Sequence, residues 1–319
     1  MTVSAPVPAP GIAPANWLRL IALGMIWGAS FMSVTVALEG IGPYMVVATR
    51  LSLGAILLLI IAGVRGVGLP PRTGPNASVI WLCALGMGLF SNAVPFFFLA
   101  WGQQYVASGF AGVCMAFVPL LILPLAHVFV PGERMNLRRL IGFAIGTFGV
   151  FVLIGPAALS ATGAEFELIA RLACVGAACC YGIGTIITRL CPQVDMLSLS
   201  AAALCFAALV FVPYAFWVED LPETVSSRSL LAVIYLGLLP TGIAQLLLVQ
   251  VIRSAGPVFM SLVNYQVPIW SVILGMVVLG EDLPSGIFWA LALILTGLAL
   301  AQFGALTRLF TGRRRGGTA

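Results

Sequence analysis

Eight polar or aromatic residues interrupt stretches that are otherwise apolar: Trp27, Arg50, Asn92, Tyr181, Gln245, Asn264, Tyr265 and Gln266. The chemistry open to them is recognition. The Arg50 guanidinium can grip a carboxylate in a two-pronged fork. The amides and hydroxyls can donate or accept hydrogen bonds, and the aromatic rings can enclose an apolar portion of a ligand. Each residue also has a purely structural alternative. Arg50 can snorkel to an interface or tie two helices together, and buried amides often only bond neighbouring helices, for about 0.6 kcal/mol on average. Catalysis has little to work with. The one histidine, His127, falls near the end of an apolar stretch, and Asp195, Asp220 and Asp282 are solitary and peripheral. Without lysine there is no GxxxxGK[ST] phosphate loop, and no channel filter or charged ring is visible. No cofactor or metal is expected, and the chain reads as a non-enzyme.

The elements that carry these residues follow from composition. Of 319 residues, 61% are hydrophobic and 8% charged, against about 45–50% and 25% in soluble domains. With a mean hydropathy of +1.12, a soluble globule and a nucleic-acid-binding protein are both excluded. A membrane-spanning helix needs about 20 apolar residues, and ten stretches qualify: 17–38, 43–64, 77–100, 107–130, 137–157, 168–188, 195–217, 228–251, 257–279 and 285–307. The segments lack the alternation of a β-barrel, and lipid offers no partner to open backbone groups, so helices are expected. The expected architecture is therefore an all-α polytopic membrane protein. Residues 1–16, with Pro6, Pro8, Pro10 and Pro14, read as a flexible tail, and 308–319 as a basic one. Cys83, Cys114, Cys174, Cys179, Cys180, Cys191 and Cys205 lie in or at the ends of apolar stretches and read as packing residues.

All fifteen cations are arginine. Twelve fall on the side of the N-terminus: Arg19, Arg65, Arg72, Arg134, Arg138, Arg139, Arg189, Arg253, Arg308, Arg313, Arg314 and Arg315. Arg171 and Arg228 fall on the other side and Arg50 within the second span. The positive-inside rule then puts both termini in the cytoplasm of an inner (plasma) membrane protein. Glu39, Glu165, Glu167, Glu219, Asp220, Glu223, Glu281 and Asp282 gather on the opposite side. Glu133 and Glu281 read as loop and helix-start residues, with Asn136 and Ser285 as N-caps of the following helices.

Sliding the chain against itself gives matches at an offset of about 150 residues. Val118-Pro119 meets Val267-Pro268, Gly132-Glu133 meets Gly280-Glu281, Gly149 meets Gly297, and Trp27-Gly28 meets Tyr181-Gly182. Five spans is an odd number, so the second copy, 158–307, enters the membrane inverted relative to the first, 17–157. Inverted repeats are typical of secondary transporters, which place their ligand at mid-depth. Small-residue stripes such as Gly24/Gly28 and Gly142/Gly146 allow close helix approach, and Pro95, Pro119, Pro240 and Pro268 allow kinks.

These features together resemble the EamA type of the drug/metabolite transporter superfamily. The resemblance rests on Trp27-Gly28-Ala29-Ser30-Phe31, on Arg50 with Leu51 and Ala55, on the segment from Pro119 to Gly132-Glu133, and on its echo from Tyr265-Gln266-Val267-Pro268 to Gly280-Glu281. It covers about residues 17–307 and implies ten helices, two inverted five-helix repeats, cytoplasmic termini and a central cavity. The seventh span lacks an arginine equivalent to Arg50, a departure from symmetry. The resemblance implies a secondary transporter of small polar or amphipathic metabolites, with amino-acid export as the leading expectation. Export of drugs or lipophilic cations, or a membrane protein without transport, are the alternatives. The expected partners are a small-molecule substrate and the lipid bilayer, with no nucleic acid, as a monomer or a homodimer.

Overall fold

The computed structural model describes residues 13–155 and 166–311. Arg313, Arg314, Arg315, Glu165 and most of the proline-rich tail lie outside the described residues. Among the described residues ten helices are long and apolar enough to cross a membrane: α1 (Pro14–Leu38), α2 (Pro43–Val64), α3 (Ala77–Gly102), α4 (Ser108–Phe129), α5 (Leu137–Ile154), α6 (Glu167–Leu190), α7 (Met196–Val218), α8 (Ser227–Ala255), α9 (Pro257–Leu279) and α10 (Ser285–Thr311). The first begins three residues ahead of the expected span, because Pro14 occupies the opening turn, where a missing N–H costs nothing. Side chains such as Phe148, Phe151, Trp217 and Val277 point outward and exposed, a surface suited to lipid.

The helices form two inverted repeats of five, α1–α5 and α6–α10, and the packing repeats with them. Packing of α1 on α8 and α9 is matched by packing of α6 on α3 and α4, and α2 on α8 by α7 on α3. The pairs α2/α7, α4/α9 and α5/α10 join equivalent helices. Glycine makes the closest of these contacts possible. A Cβ on Gly142 would sit 2.5 Å from the carbonyl oxygen of Gly297, and one on Gly297 would sit 2.4 Å from that of Gly142. The pair lets α5 and α10 touch backbone to backbone.

Equivalence extends to an irregularity. In both α3 and α8 the helix widens into a π-helical turn, at Leu89–Ala93 and Gly237–Ile243. These turns occupy matching places, about 150 residues apart. In each, a side chain donates to the carbonyl five residues back: Asn92 Nδ2 to the Met87 oxygen at 3.1 Å, and Thr241 Oγ1 to the Leu236 oxygen at 2.8 Å. Asn92 and Thr241 are thus repeat mates.

The two ends of the bundle differ. At the end carrying Glu39, Glu219 and Glu281, carboxylates from the second repeat close helix starts of the first. Glu281 accepts from the Ser108 and Gly109 N–H groups at 2.7 and 3.1 Å, and Glu219 from the Tyr44 N–H at 2.8 Å. Glu281 therefore caps α4 across the repeat boundary and is no simple loop residue, because Gly280, in the left-handed region at φ 67, turns the chain back towards α4. At the arginine-rich end, Asp195 caps its own helix, α7. Glu133 there pairs with Arg189 at 3.0 Å and Arg139 at 3.2 Å. Hydrogen bonding from Arg189, and then from Arg139, holds its carboxyl below the ordinary value of 4.5. Asn136 caps α5 as expected, accepting from the Arg139 N–H, whereas Ser285 is itself the first residue of α10.

Candidate functional site

Arg50 stands on α2 with 8% of its surface exposed. Its Nε donates to Thr241 Oγ1 at 3.0 Å, and its guanidinium lies over the Phe96 ring, 3.6 Å from the centroid. Gly237 faces the Arg50 carbonyl, and Thr241 is one helical turn further from the acid-rich end. The guanidinium is therefore turned towards the middle of the bundle, away from the interface that snorkelling would reach. Among the described residues no carboxylate pairs with it. The phenols of Tyr181 and Tyr235 lie within its electrostatic reach.

The neighbouring π-helical turn organises the rest. Trp27 Nε1 donates to the Pro240 oxygen at 3.1 Å, one residue from Thr241. Tyr235 reaches from α8 to α1, donating to the Ile26 oxygen at 3.0 Å. Trp27 and Tyr181, matched in the sequence repeat, both flank the hydrophobic core cluster that joins α1, α4, α9 and α10, and Tyr181 also borders the cluster around α2 and α7. Trp27, Arg50 and Tyr181 are thus gathered around one interior region, together with Phe96, Tyr235 and Thr241.

The symmetry stops at Arg50. A Cβ on Gly237 would meet the Arg50 oxygen and the Leu53 side chain, and one on Gly88 would meet the Ala203 oxygen and the Phe206 side chain. Ala203 is therefore the repeat mate of Arg50. Asn92, the mate of Thr241, has no guanidinium to receive, and among the described residues its amide oxygen accepts no hydrogen bond.

The other expected residues lie apart from Arg50. Gln245, one turn beyond Thr241, donates to Ser200 Oγ at 2.8 Å. It lines a cleft of about 340 Å³ with Arg65, Asp195, Leu246, Val249 and Arg253 at the arginine-rich end. Asn264, Tyr265 and Gln266 ride on α9, which packs on α1 and α4. Gln266 lies against Gly24, where a Cβ would come within 2.9 Å of its side chain. Among the described residues the buried Tyr265 hydroxyl has no hydrogen-bond partner. Thr241, Phe96 and Tyr235 were not singled out in the sequence. Thr241 was within reach, since the repeat offset sets it against Asn92; Phe96 and Tyr235 carry no comparable signal.

Comparison with known proteins agrees with this architecture. The EamA-like transporter family matches residues 17–155 and 168–303, one match per repeat. The chain is similar to the uncharacterized inner membrane transporter YedA of Escherichia coli, 29% identical over 89% of this chain and 90% of that one. It is similar also to the uncharacterized transporter YoaV of Bacillus subtilis, 25% identical over 90% and 96%. A probable terminal-alkyne amino-acid exporter of Streptantibioticus cattleyicolor is 26% identical over 95% and 97%. A crystal structure with 24% identity superposes with a TM-score of 0.65 over 92% of this chain and 99% of that one, and so shares the fold. The chain, a multi-pass inner membrane protein, belongs to the EamA-like transporter family of the drug/metabolite transporter superfamily.

Proposed function

We propose that the protein is a secondary carrier that exports small polar or amphipathic metabolites, amino acids foremost, by alternating access. The observation that carries this reading is the paired π-helical turns. Two equivalent helices, one from each inverted repeat, loosen at the same place, next to the polar and aromatic residues gathered around Arg50. A bundle whose halves can exchange roles needs such deformable points on both sides of its ligand.

In this reading the arginine-rich end faces the cytoplasm, with both termini there. The two halves span 17–157 and 158–307, with α1 and α10 running past these bounds to Pro14 and Thr311. The acid-rich end, latched by Glu219 and Glu281, is the closed exit, and the cleft beside Gln245 is the entrance. Trp27, Arg50, Asn92 and Tyr181 form the central contacts, with Gln245, Asn264, Tyr265 and Gln266 along the route. The similarity to a probable amino-acid exporter supports the choice of cargo.

Uptake of labelled amino acids into liposomes carrying the purified protein tests it. Saturable flux above that of empty liposomes is expected for some members of a broad panel. Replacing Trp27 or Asn264 by Ala is expected to lower the flux without lowering insertion. Flux confined to lipophilic cations would replace the cargo assigned here, and none across the panel would refute amino-acid transport.

A further inference from the structure

A buried cation without a counter-ion is costly in a membrane interior, and Arg50 is one. Its Nε is spent on Thr241 and its face on Phe96. Among the described residues no hydrogen bond leaves Nη1 or Nη2, yet neither counts among the buried atoms left without a partner. The two terminal amino groups therefore border open space, and they are the forked edge that matches a carboxylate. The repeat mate of Arg50 is Ala203, so helix packing at that position does not require the charge. The nearby phenols of Tyr181 and Tyr235 are neutral.

Charge balance narrows the ligand further. One buried guanidinium neutralises one negative charge, whereas a phosphate dianion would call for a second cation that the site does not hold. The approach is basic as well. The cleft at the arginine-rich end ends at Gln245, one turn from Thr241, and presents Arg65, which has no ion pair among the described residues, and Arg253, 3.7 Å from Asp195. Such a mouth attracts anions.

From this we infer that Arg50 docks the carboxylate of the carried molecule and selects carboxylates over their amides and over simple amines, with Arg65 and Arg253 drawing the same group into the cleft. The inference rests on the carrier reading above. The two tyrosines lie nearest the remainder of the ligand, so an amino group is accommodated by neutral oxygens and is not the primary anchor.

Competition in liposomes carrying the full chain tests it. The twenty common amino acids serve as the labelled panel, and each one carried is challenged with its own amide, its deaminated acid and its aminophosphonate. In the native protein the deaminated acid is expected to compete within about tenfold of the amino acid, and the amide at least about thirtyfold more weakly, the scale of unpairing a buried charge. The aminophosphonate is expected to fall between them. Arg50→Gln should lose the acid-over-amide preference, bringing the ratio near one, while Arg50→Lys keeps part of it. A merely structural arginine would lower flux and leave the ratio unchanged. If Arg50→Gln does not insert, the native competition series and Arg50→Lys still decide. Equal competition by acid and amide in the native protein overturns the carboxylate assignment and leaves the carrier standing, as does stronger competition by the aminophosphonate. Absence of flux across the whole panel overturns both.

Discussion

Arg50 and Thr241 meet at 3.0 Å across the boundary between the two repeats, and the hydroxyl that receives the guanidinium N–H donates in turn to the Leu236 oxygen at the start of the π-helical turn. One threonine thus joins the cation to the deformable part of α8. Any movement of that turn changes the surroundings of the charge, and any ligand on the charge bears on the turn.

Thr241→Val keeps the shape and removes the hydroxyl. It leaves the buried Arg50 N–H without its acceptor, a loss of about 1–3 kcal/mol, above the roughly 0.6 kcal/mol of an average interhelical bond. Thr241→Ser should behave nearly as the native protein. Unfolding of the two variants in the same detergent separates them, and equal stability would show that the hydroxyl does not hold Arg50.

The acid-rich end should loosen when its caps are removed. Glu281→Ala deprives the Ser108 and Gly109 N–H groups of their acceptor, worth about 0.5–2 kcal/mol at a helix start. Amide hydrogen exchange over residues 107–112 should quicken severalfold, with the start of α2 unchanged. Glu219→Ala should give the reverse pattern, through Tyr44.

Glu133 gives a pH dependence whose sign is set. Its carboxyl is held below 4.5 by Arg189 and Arg139, so its contribution is fully present above about pH 4.5 and is lost as the pH falls through the lowered value. Both its ion pairs are about one-third exposed or more, so the contribution is under about 1 kcal/mol. The stability difference between the native protein and Glu133→Gln should be present at pH 7 and shrink as the pH falls below 4.5. A difference that grew on acidification would contradict the assignment.

Backbone contact between α5 and α10 predicts a sharp contrast between glycines. Gly297→Ala places a methyl 2.4 Å from the Gly142 oxygen, whereas nothing lies within 4 Å of a Cβ on Gly286 in the same helix. The first should lower thermal stability markedly, by the roughly 1–3 kcal/mol typical of overpacking. The second should be neutral or stabilising by up to about 1 kcal/mol. Melting curves of the two purified variants check this.

Ten spans and their inverted pairing were legible because lipid constrains length and composition so strongly, and because Trp27 with Tyr181 and Gly149 with Gly297 kept the repeat visible. The position of Arg50 in α2 was legible for the same reason, since a charge stands out against an apolar stretch. Its partners were not: Thr241, Phe96 and Tyr235 look like ordinary span residues, and only the register between α2, α3 and α8 brings them to the guanidinium. The π-helical turns were hidden as well, because Pro95 and Pro240 signal a softened helix without saying how the ladder is repaired. Glu281 lies in a loop as expected, but its capping role was hidden for a related reason. Its sequence neighbours describe a loop, and its actual acceptor role depends on the start of α4, far away in the chain.

Counterflow through liposomes tests alternating access most directly. Vesicles loaded with an unlabelled amino acid that the protein carries are diluted into a trace of the labelled one. A carrier that exposes one site to each side in turn should accumulate label transiently above its equilibrium level, and only when unlabelled ligand is inside. Label that simply equilibrates, at a rate indifferent to the internal ligand, would contradict the account.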